Sequence, residues 1–311
     1  MTYEIIQGDC RETLAALPDG VFNTCVTSPP YFGLRDYGVD GQMGMEQTPD
    51  EYVDGMVRVF REVRRVLRDD GTLWLNLGDS YANDGKSGGS TGGKHAQGVH
   101  GISGPGRAKR STGLKPKDLI GIPWRVAFAL QADGWYLRQD IIWHKPNVMP
   151  ESVRDRCTKA HEYIFLLSKS ERYYFDSDAI RDRSSSWKPE YANRKSRGSN
   201  ITGNMSDRGV PRTTEGLNLK PAHEKTSEFR RRRSVWTVPT RPFKGAHFAA
   251  FPPDLIEPCI LAGAPAGGLV LDPFGGAGTT ALVAERNGRD SILLELNPEY
   301  VELAHARIAA G

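Results

Sequence analysis

Long apolar stretches are absent from this sequence of 311 residues. No run approaches the ~18 apolar residues that a membrane span requires. The N-terminal segment carries Glu4 and Asp9 where a secretion signal needs a basic and then an apolar stretch. We therefore expect a cytoplasmic protein without a membrane partner.

Cysteine is also scarce. Cys10, Cys25, Cys157 and Cys259 lie far apart in the sequence and form no C-x-x-C pair. This spacing argues against a zinc ribbon and against a disulfide framework. We expect four reduced, structural thiols and no metal site.

The net charge of +3 hides an uneven distribution of charge along the chain. Residues 181–233 contain 14 Lys or Arg and 6 Asp or Glu, a net charge of +8, whereas the remainder of the chain carries a net charge of −5. A basic segment on a mildly acidic body favours a polyanionic partner. The alternative is a solvated basic loop without sequence preference.

Short apolar runs alternate with helical patterns through most of the remaining sequence. We expect strands at 3–6, 22–27, 72–77, 135–143, 161–168, 268–271 and 291–295, and helices at 11–17, 49–67, 119–130, 254–262, 279–286 and 298–309. Alternation of this kind is typical of a parallel sheet covered by helices. The sequence therefore predicts an α/β fold.

A glycine-rich segment interrupts this alternation. Residues 83–117 contain ten Gly, seven Lys or Arg and a single acid, Asp84. Such a composition cannot build a core, so the segment is predicted to be a flexible surface loop or a mobile basic flap that orders over a polyanion. A G-x-x-x-x-G-K match within it has His95 where a magnesium-binding hydroxyl is needed, which argues against an ATPase.

A tight glycine turn lies near the C-terminus, between a predicted strand and a predicted helix. Gly276, Gly278 and Ala281 fit G-x-G-x-x-A, a pattern that lets a backbone approach a ligand and lets the helix pack closely on the strand. Glu295 follows Gly276 by 19 residues, at the end of the next strand, where an acid can bind ribose hydroxyls. The pattern predicts a nucleoside site. Glycine spacing alone leaves open whether a dinucleotide or S-adenosylmethionine occupies it.

A second turn follows the predicted strand 22–27. Pro29 and Pro30 fix the backbone and remove two N–H donors, which leaves carbonyl groups without a local partner. Ser28 adds a hydroxyl acceptor, and Tyr31 offers a flat face on which a base can stack. Together these residues predict a pocket for an extruded base that carries an exocyclic amine.

The two turns together resemble the amino-methylating DNA methyltransferases, which use S-adenosylmethionine. T-S-P-P-Y at 27–31 fits the family's catalytic motif D/N/S-P-P-Y/F, and D-P-F-G-G-A-G-T-T at 272–280 fits its cofactor motif D-P-F-x-G-x-G-T-T. The catalytic turn comes first and a basic region separates it from the cofactor turn, which resembles the circularly permuted β group. The resemblance implies a Rossmann-like, mostly parallel seven-stranded sheet. It also implies a catalytic part at 1–180, a target-recognition region at 181–235 and a cofactor-binding part at 236–311.

The resemblance also implies roles for individual residues. Ser28, Pro29, Pro30 and Tyr31 would be catalytic. Residues expected to hold S-adenosyl-L-methionine, and its product S-adenosyl-L-homocysteine, are Asp9, His247, Phe248, Asp272, Pro273, Phe274, Gly276, Gly278, Thr279, Thr280, Glu295 and Asn297. The segment at 75–81 would line the cleft.

Double-stranded DNA is the partner that the resemblance implies, with a cognate restriction endonuclease as a second one and a monomer or homodimer as the assembly. The residues expected to contact DNA are Lys145, Arg194, Lys195, Arg197, Arg208, Arg212, Arg230, Arg231, Arg232 and Arg233. Trp187 and Tyr191 are candidates for stacking, or for packing within the segment.

The chemistry implied is direct methyl transfer to an amine, without a covalent enzyme intermediate. None of the four cysteines is then expected to be a nucleophile. Serine at the first motif position resembles enzymes that act on N4 of cytosine, with N6 of adenine as the alternative. Three other hypotheses are a nicotinamide-dependent oxidoreductase, a non-catalytic DNA-binding protein, and a methyltransferase for RNA or protein glutamine.

Overall fold

The computed structural model describes residues 2–82, 112–184, 228–240 and 251–310. The chain divides into two compact units, one made of Met1–Ala179 and Arg233–Gly311 and the other of Ile180–Arg232. Most of the glycine-rich segment and most of the basic segment lie outside the described residues.

Every helix and strand that the sequence predicts is present, together with three short strands that it does not predict. The strands are β1 (Tyr3–Gln7), β2 (Phe22–Thr27), β3 (Leu67–Leu77), β4 (Tyr136–His144), β5 (His161–Ser168), β6 (Asp182–Arg183), β7 (Phe229–Arg230), β8 (Val235–Thr237), β9 (Leu269–Asp272) and β10 (Asp290–Glu295). The helices are α1 (Cys10–Ala16), α2 (Pro49–Val66), α3 (Ile122–Ala132), α4 (Pro253–Gly263), α5 (Thr279–Arg286) and α6 (Pro298–Ala309).

The larger unit is built on one sheet with the order β1-β10-β9-β2-β3-β5-β4-β8. Every neighbouring pair is parallel except the two pairs that β5 makes with β3 and β4. The predicted mostly parallel, Rossmann-like α/β fold is confirmed. The described sheet has eight strands and not seven, because Val235–Thr237 pairs with the outer edge of β4.

The strands that precede the two predicted turns are direct neighbours. β2 pairs in parallel with β9 through Thr24 with Val270 and Cys25 with Leu271. Loops that follow parallel strands leave from the same edge of a sheet. The proline turn and the glycine turn, which are separated by more than 240 residues in sequence, therefore emerge side by side.

Helix α2 covers one face of this sheet. Thr48 caps its N-terminus by accepting a hydrogen bond from the Glu51 N–H, and Pro49 occupies the first turn, where no N–H donor is needed. Its apolar residues recur at helical spacing and are fully buried, among them Tyr52, Met56 and Phe60. The buried stripe joins the sheet residues in one hydrophobic core.

Two elements begin more than two residues away from their predicted starts. Helix α3 begins at Ile122 and not at 119, because the Asp79 carboxylate accepts the N–H groups of Gly121 (3.0 Å) and Ile122 (3.1 Å) at that point. Strand β3 begins at Leu67 and not at 72. Leu67 pairs with Phe22 before a bulge at 68–71, and regular pairing with β2 resumes at Thr72.

The described part of the smaller unit is a short antiparallel pair, β6 with β7. Arg183 donates to Glu228 at 3.0 Å, and Arg232 lies 3.7 Å from the Asp182 carboxylate. In neither unit is any described helix long and apolar enough to cross a lipid bilayer.

Candidate active site

A cavity of about 340 Å³ opens at the carboxyl edge of the sheet in the larger unit. This volume falls within the range of small-molecule sites. Both predicted turns line it: Ser28, Pro29, Pro30 and Tyr31 on one side, and Asp272, Pro273, Phe274, Gly276 and Thr279 on the other, with Asp9, Glu295 and Asn297 between. The structure thus brings the two halves of the predicted site into one space.

A buried carboxylate joins the two turns. Asp272 is 1% exposed, and its Oδ1 atom accepts hydrogen bonds from the Thr27 hydroxyl (2.7 Å) and the Phe274 N–H (3.0 Å). The Thr280 hydroxyl donates to Oδ2 at 2.6 Å. Burial raises the pKa of Asp272 above its ordinary value, and these three donors oppose the rise. Since Thr27 directly precedes Ser28, this carboxylate sets the spacing of the proline and glycine turns.

A second carboxylate fixes the glycine turn to strand β10. Glu295 accepts the Gly276 N–H on Oε2 at 2.7 Å and the Asn297 N–H on Oε1 at 2.8 Å. Burial raises the pKa of Glu295, against these hydrogen bonds. A carboxylate has about four acceptor positions, so each oxygen can still accept a hydrogen bond from a ribose hydroxyl.

The glycine turn fits S-adenosylmethionine better than a dinucleotide. A pyrophosphate binds at such a turn through free N–H groups, but the Gly276 N–H already donates to Glu295. Two acidic side chains, Asp272 and Glu295, also line the cavity at this turn and would repel a pyrophosphate. Acceptors in this position suit an uncharged ribose and a cationic sulfonium.

Two residues predicted to bind the cofactor do not line the cavity. Gly278 has φ +72°, and a Cβ atom there would lie 2.8 Å from the Cβ of Ala304 on α6, so this glycine allows helix packing. Thr280 is fully buried and holds Asp272. Thr279 does line the cavity, and its hydroxyl accepts from Arg307 at 2.7 Å.

Asp9 lies on the cavity wall at the start of α1. Its Oδ1 atom accepts the Arg11 N–H at 2.8 Å, which caps the helix, and the Arg11 guanidinium donates to both carboxylate oxygens. This partner holds the pKa of Asp9 below its ordinary value. Arg11 also donates to the Gly41 carbonyl at 2.9 Å and so ties α1 to the loop after the proline turn. The adenine contact expected of Asp9 stays a prediction.

The two carbonyl groups of the proline turn differ in their hydrogen bonding. The Pro30 carbonyl accepts from the Tyr52 hydroxyl at 2.9 Å, which anchors the turn on α2. In the part of the chain that the structure describes, no donor reaches the Pro29 carbonyl. Pro29 lines the cavity, so its carbonyl can accept a hydrogen bond from a bound amine.

Tyr31 is held at the same end of the cavity. Its hydroxyl lies 2.7 Å from Glu162 Oε2 and 3.1 Å from Asn76 Oδ1, and the Ser28 hydroxyl lies 3.4 Å away. Burial, and then the Glu162 charge, raise the pKa of Tyr31 well above its ordinary value. A Cβ atom on Gly78 would lie 2.5 Å from the tyrosine ring, so the segment at 75–81 leaves space for this ring.

A charged pair that the sequence analysis did not assign completes this end. Lys145 forms an ion pair with Glu162, and each side chain is only 16% exposed. The Lys145 ammonium also lies 4.1 Å from the ring centroid of Trp143. Glu162 lies near the start of β5 and belongs to no sequence motif. Only Lys145, predicted as a DNA contact, pointed to this region.

The loop after the proline turn forms another wall that the sequence analysis missed. Arg35, Tyr37, Gln42 and Met43 line the cavity. Tyr37 contacts Tyr300 on α6 edge to face, with ring centroids 6.3 Å apart. The only sequence signal was a set of closely spaced glycines in an irregular stretch.

Comparison with known proteins agrees with this geometry. The family model described as DNA methylase, for N6 and N4 methyltransferases, matches residues 22–306. The chain belongs to this DNA methylase family. The predicted membership among amino-methylating DNA methyltransferases is therefore confirmed, whereas the assignment to the permuted β group stays a prediction.

The methylase has relatives of similar length. It is 44% identical over 304 residues to the Type II methyltransferase M.Cfr9I of Citrobacter freundii, an alignment that covers 98% of this chain and 87% of the relative. It is 46% identical over 305 residues to the Type II methyltransferase M.SmaI of Serratia marcescens, with 98% and 90% covered.

Two solved structures share its fold. The PvuII DNA methyltransferase (cytosine-N4-specific) superposes with a TM-score of 0.63 at 20% identity, covering 99% of this chain and 86% of that one. A putative DNA modification methylase of Thermus thermophilus, solved in complex with S-adenosyl-L-methionine, gives 0.58 at 23% identity and covers 100% and 95%.

Five of the ten DNA contacts predicted for the methylase fall in segments that the structure does not describe. Outside the described residues lie Arg194, Lys195, Arg197, Arg208 and Arg212, together with Trp187, Tyr191 and the cofactor residues His247 and Phe248. Arg231 and Arg233 are exposed, and Arg230 and Arg232 are half-buried. Lys145 lies in the cavity and not on an open surface, since it pairs with Glu162.

Three of the four thiols of the methylase are core residues, whereas Cys157, also predicted to be structural, is exposed. None of the four cysteines, all of them described, is in a disulfide, and Cys10, Cys25 and Cys259 are buried. Cys10 borders the cavity, but burial raises its pKa to about 12, so the thiol stays protonated at neutral pH. Among the described residues no cluster of three or more His, Cys, Asp or Glu is placed to hold a metal ion.

Proposed function

We propose that this methylase transfers a methyl group from S-adenosyl-L-methionine to the exocyclic amine of a base flipped out of double-stranded DNA, at N4 of cytosine. The alternative target is N6 of adenine. S-adenosyl-L-homocysteine is the second product, and no metal takes part.

One observation carries the proposal. The Thr27 hydroxyl and Asp272 form a 2.7 Å hydrogen bond between the strands that end in the two turns. An amine bound at Pro29 and a donor bound at Gly276 therefore share a single cavity. Transfer between two bound groups requires this proximity, because alignment supplies much of the rate acceleration.

The residues of the proline turn prepare the amine. Its lone pair is delocalised into the ring, which makes it a weak nucleophile. Hydrogen bonds from its two N–H groups to the Pro29 carbonyl and the Ser28 hydroxyl draw the nitrogen towards tetrahedral geometry and free the lone pair. The bound cofactor supplies an electrophilic methyl group on a cationic sulfur. Tyr31 holds the base by stacking.

The serine at the first motif position supports cytosine as the target. Ser28 resembles the residue used by enzymes that act on N4 of cytosine, whereas aspartate is commoner at this position in enzymes that act on N6 of adenine. Pocket shape and contacts to the base also contribute to this choice. Lys145, placed inside the cavity, would contact the base and not a backbone phosphate.

Site-specific methylation is the natural extension. M.Cfr9I and M.SmaI are named Type II methyltransferases, and we extend that class to this chain. Residues 181–235 would then recognise the target sequence through their net positive charge, with 1–180 and 236–311 as the catalytic and cofactor-binding parts of one core. A cognate restriction endonuclease would be the partner in such a system.

Nucleoside analysis tests the proposal. Unmodified DNA is incubated with the protein and tritiated S-adenosyl-L-methionine, digested, and separated by chromatography. Label in N4-methyldeoxycytidine supports the proposal, and label in N6-methyldeoxyadenosine supports the alternative. DNA binding without label in any nucleoside would contradict methyl transfer to DNA, and label in RNA or protein alone would point to the other substrates.

A further inference from the structure

We propose that Glu162 is the terminal acceptor of the proton that the target amine loses, and that the hydroxyl groups of Ser28 and Tyr31 carry the proton to it. This inference rests on the proposed function, since it concerns the fate of the amine proton in that reaction. Glu162 would thus be a further functional residue at the strand next to β3, far in sequence from both motifs.

The geometry supplies a continuous path. The Ser28 hydroxyl, which the proposed reaction places on the amine, lies 3.4 Å from the Tyr31 hydroxyl. The Tyr31 hydroxyl lies 2.7 Å from Glu162 Oε2. The first contact is at the outer limit of a hydrogen bond, and catalytic hydrogen bonds of this kind tighten when substrate binds.

The direction of the path follows from donor and acceptor capacity. Tyr31 has one proton, and among the described residues the Glu162 carboxylate is its nearest and only charged acceptor, ahead of Asn76 Oδ1 at 3.1 Å. The lone pairs of the Tyr31 oxygen then remain to accept from Ser28. Asn76 Nδ2 donates to the Tyr163 carbonyl at 3.0 Å and lies 3.4 Å from the same carboxylate oxygen, so it fixes the end of the path.

A serine in the first motif position makes such a path necessary. An aspartate can accept the amine proton itself, whereas a serine hydroxyl is not a base and can only pass one proton on as it receives another. Lys145 offsets the negative charge of Glu162 within the cavity and is itself held over Trp143. The pair gives a desolvated carboxylate a fixed position.

The step balances as follows. The amine lone pair forms the new N–C bond, and the electrons of the C–S bond remain on sulfur, which becomes a neutral thioether. The surplus proton on nitrogen passes to Ser28 Oγ, the Ser28 proton passes to the Tyr31 oxygen, and the Tyr31 proton passes to Glu162 Oε2. Glu162 ends protonated and later releases the proton to solvent, and both hydroxyls are regenerated.

Single-turnover methyl transfer to a duplex that carries the unmethylated target site tests this path. Glu162→Gln keeps an acceptor for the Tyr31 hydroxyl but cannot take a proton, so we expect the rate to fall about 10²-fold, as for loss of a general base. Tyr31→Phe keeps the stacking face and should lose as much. The double variant should be no slower than the slower single one, because residues of one path act as a unit.

Further variants separate the proton path from a structural role. If Glu162 only positioned Tyr31, Glu162→Gln would keep a rate within about threefold of wild type, a loss far below that of a general base, and this result would overturn the proposal. The double variant Lys145→Met with Glu162→Gln removes both charges of the ion pair. If only the balance of these charges mattered, this variant would recover the wild-type rate, and that result would also overturn the proposal. We expect that variant to stay slow, with cofactor affinity close to that of wild type.

The matched control is Glu62→Gln on α2, where Glu62 pairs with Arg65 far from the cavity residues; its rate should equal that of wild type. Wild-type protein in the same assay distinguishes two failures. No transfer to DNA by wild type would contradict the proposed function, whereas normal transfer by both wild type and Glu162→Gln would contradict only the proton path.

Discussion

The glycine turn after β9 and the proline turn after β2 leave neighbouring strands, yet the glycine turn is closed by internal hydrogen bonds, whereas the proline turn keeps an acceptor without a partner beside the bonded Pro30 carbonyl and Tyr31 hydroxyl. At the glycine turn, Asp272 accepts three hydrogen bonds and Glu295 accepts two backbone N–H groups. At the proline turn, no described donor reaches the Pro29 carbonyl, and Ser28 has only a 3.4 Å contact.

The difference shows how one cavity can serve two ligands. The cofactor turn is built by internal hydrogen bonds, so its shape exists before a ligand arrives. The proline turn holds the Pro29 carbonyl without a described donor. A buried acceptor without a partner costs free energy until a donor binds. In the proposed reaction, the amine completes a hydrogen-bond set that the protein leaves open.

The largest effect is expected from replacing Asp272, because this removes the hydrogen bonds that hold the glycine turn. In Asp272→Ala, the hydroxyls of Thr27 and Thr280 and the Phe274 N–H lose their acceptor. We expect the free energy of unfolding to fall by about 3 kcal/mol and methyl transfer to be abolished. Urea denaturation measures the first effect, and exposed Asp54→Ala is the control. Equal stability of both variants would contradict the role of Asp272.

A smaller effect is expected from a change that affects the proline turn alone. In Gly78→Ala the new methyl group would meet the Tyr31 ring at 2.5 Å, which displaces the stacking face. We expect methyl transfer to fall at least ~10-fold, since small misplacements at a reacting centre are costly, with cofactor affinity within ~2-fold of wild type. Titration calorimetry with the cofactor and the tritium assay check the two values. An equal loss of cofactor binding would show that the two turns are not separable.

The link between the turns gives the next effect. Thr27→Val keeps the shape of the side chain but removes the hydroxyl that donates to Asp272. We expect a loss of about 1–2 kcal/mol in unfolding free energy, the cost of one buried hydrogen bond to a charged group. Thr27→Ser keeps the hydroxyl and should recover part of that loss. A valine variant as stable as wild type would show that Asp272 does not join the turns.

The smallest effect is a pH dependence of stability. Because the pKa of Asp272 is raised in the folded protein, the unfolded chain releases its proton first as pH rises above the ordinary aspartate pKa of about 3.9. Stability should therefore fall between that value and the raised pKa. Asp272→Asn should remove this fall. The free energy of unfolding of the two proteins is measured at each pH in this range. If it changes with pH in the same way for both, the raised pKa is contradicted.

The sequence predicted the elements and both turns because their signals are local. Period and turn chemistry are written in neighbouring residues, as in α2 with Thr48 and Pro49 at its start. The neighbourhood of β2 and β9 followed only from the family resemblance. The start of α3 was misplaced because its cap, Asp79, is distant in sequence.

The charged end of the cavity could not be predicted. Glu162 and Asn76 sit on different strands and meet Tyr31 only through the order of the sheet. Glu162 lies in no motif, and a single glutamate near a strand start carries no signal, whereas Asn76 falls in the segment 75–81 that the resemblance places at the cleft. Lys145 was predicted as a DNA contact. Its pairing with Glu162 could not be foreseen, because it depends on the antiparallel register of β4 and β5.

The most direct test of the shared cavity is a crystal structure of the methylase with S-adenosyl-L-homocysteine and a duplex that carries its target site. We predict that the sulfur lies beside the turn at Asp272–Gly276 and that the exocyclic nitrogen lies about 3 Å from the Pro29 carbonyl oxygen, facing the sulfur. A nitrogen held elsewhere, or a cofactor bound away from the glycine turn, would contradict the account.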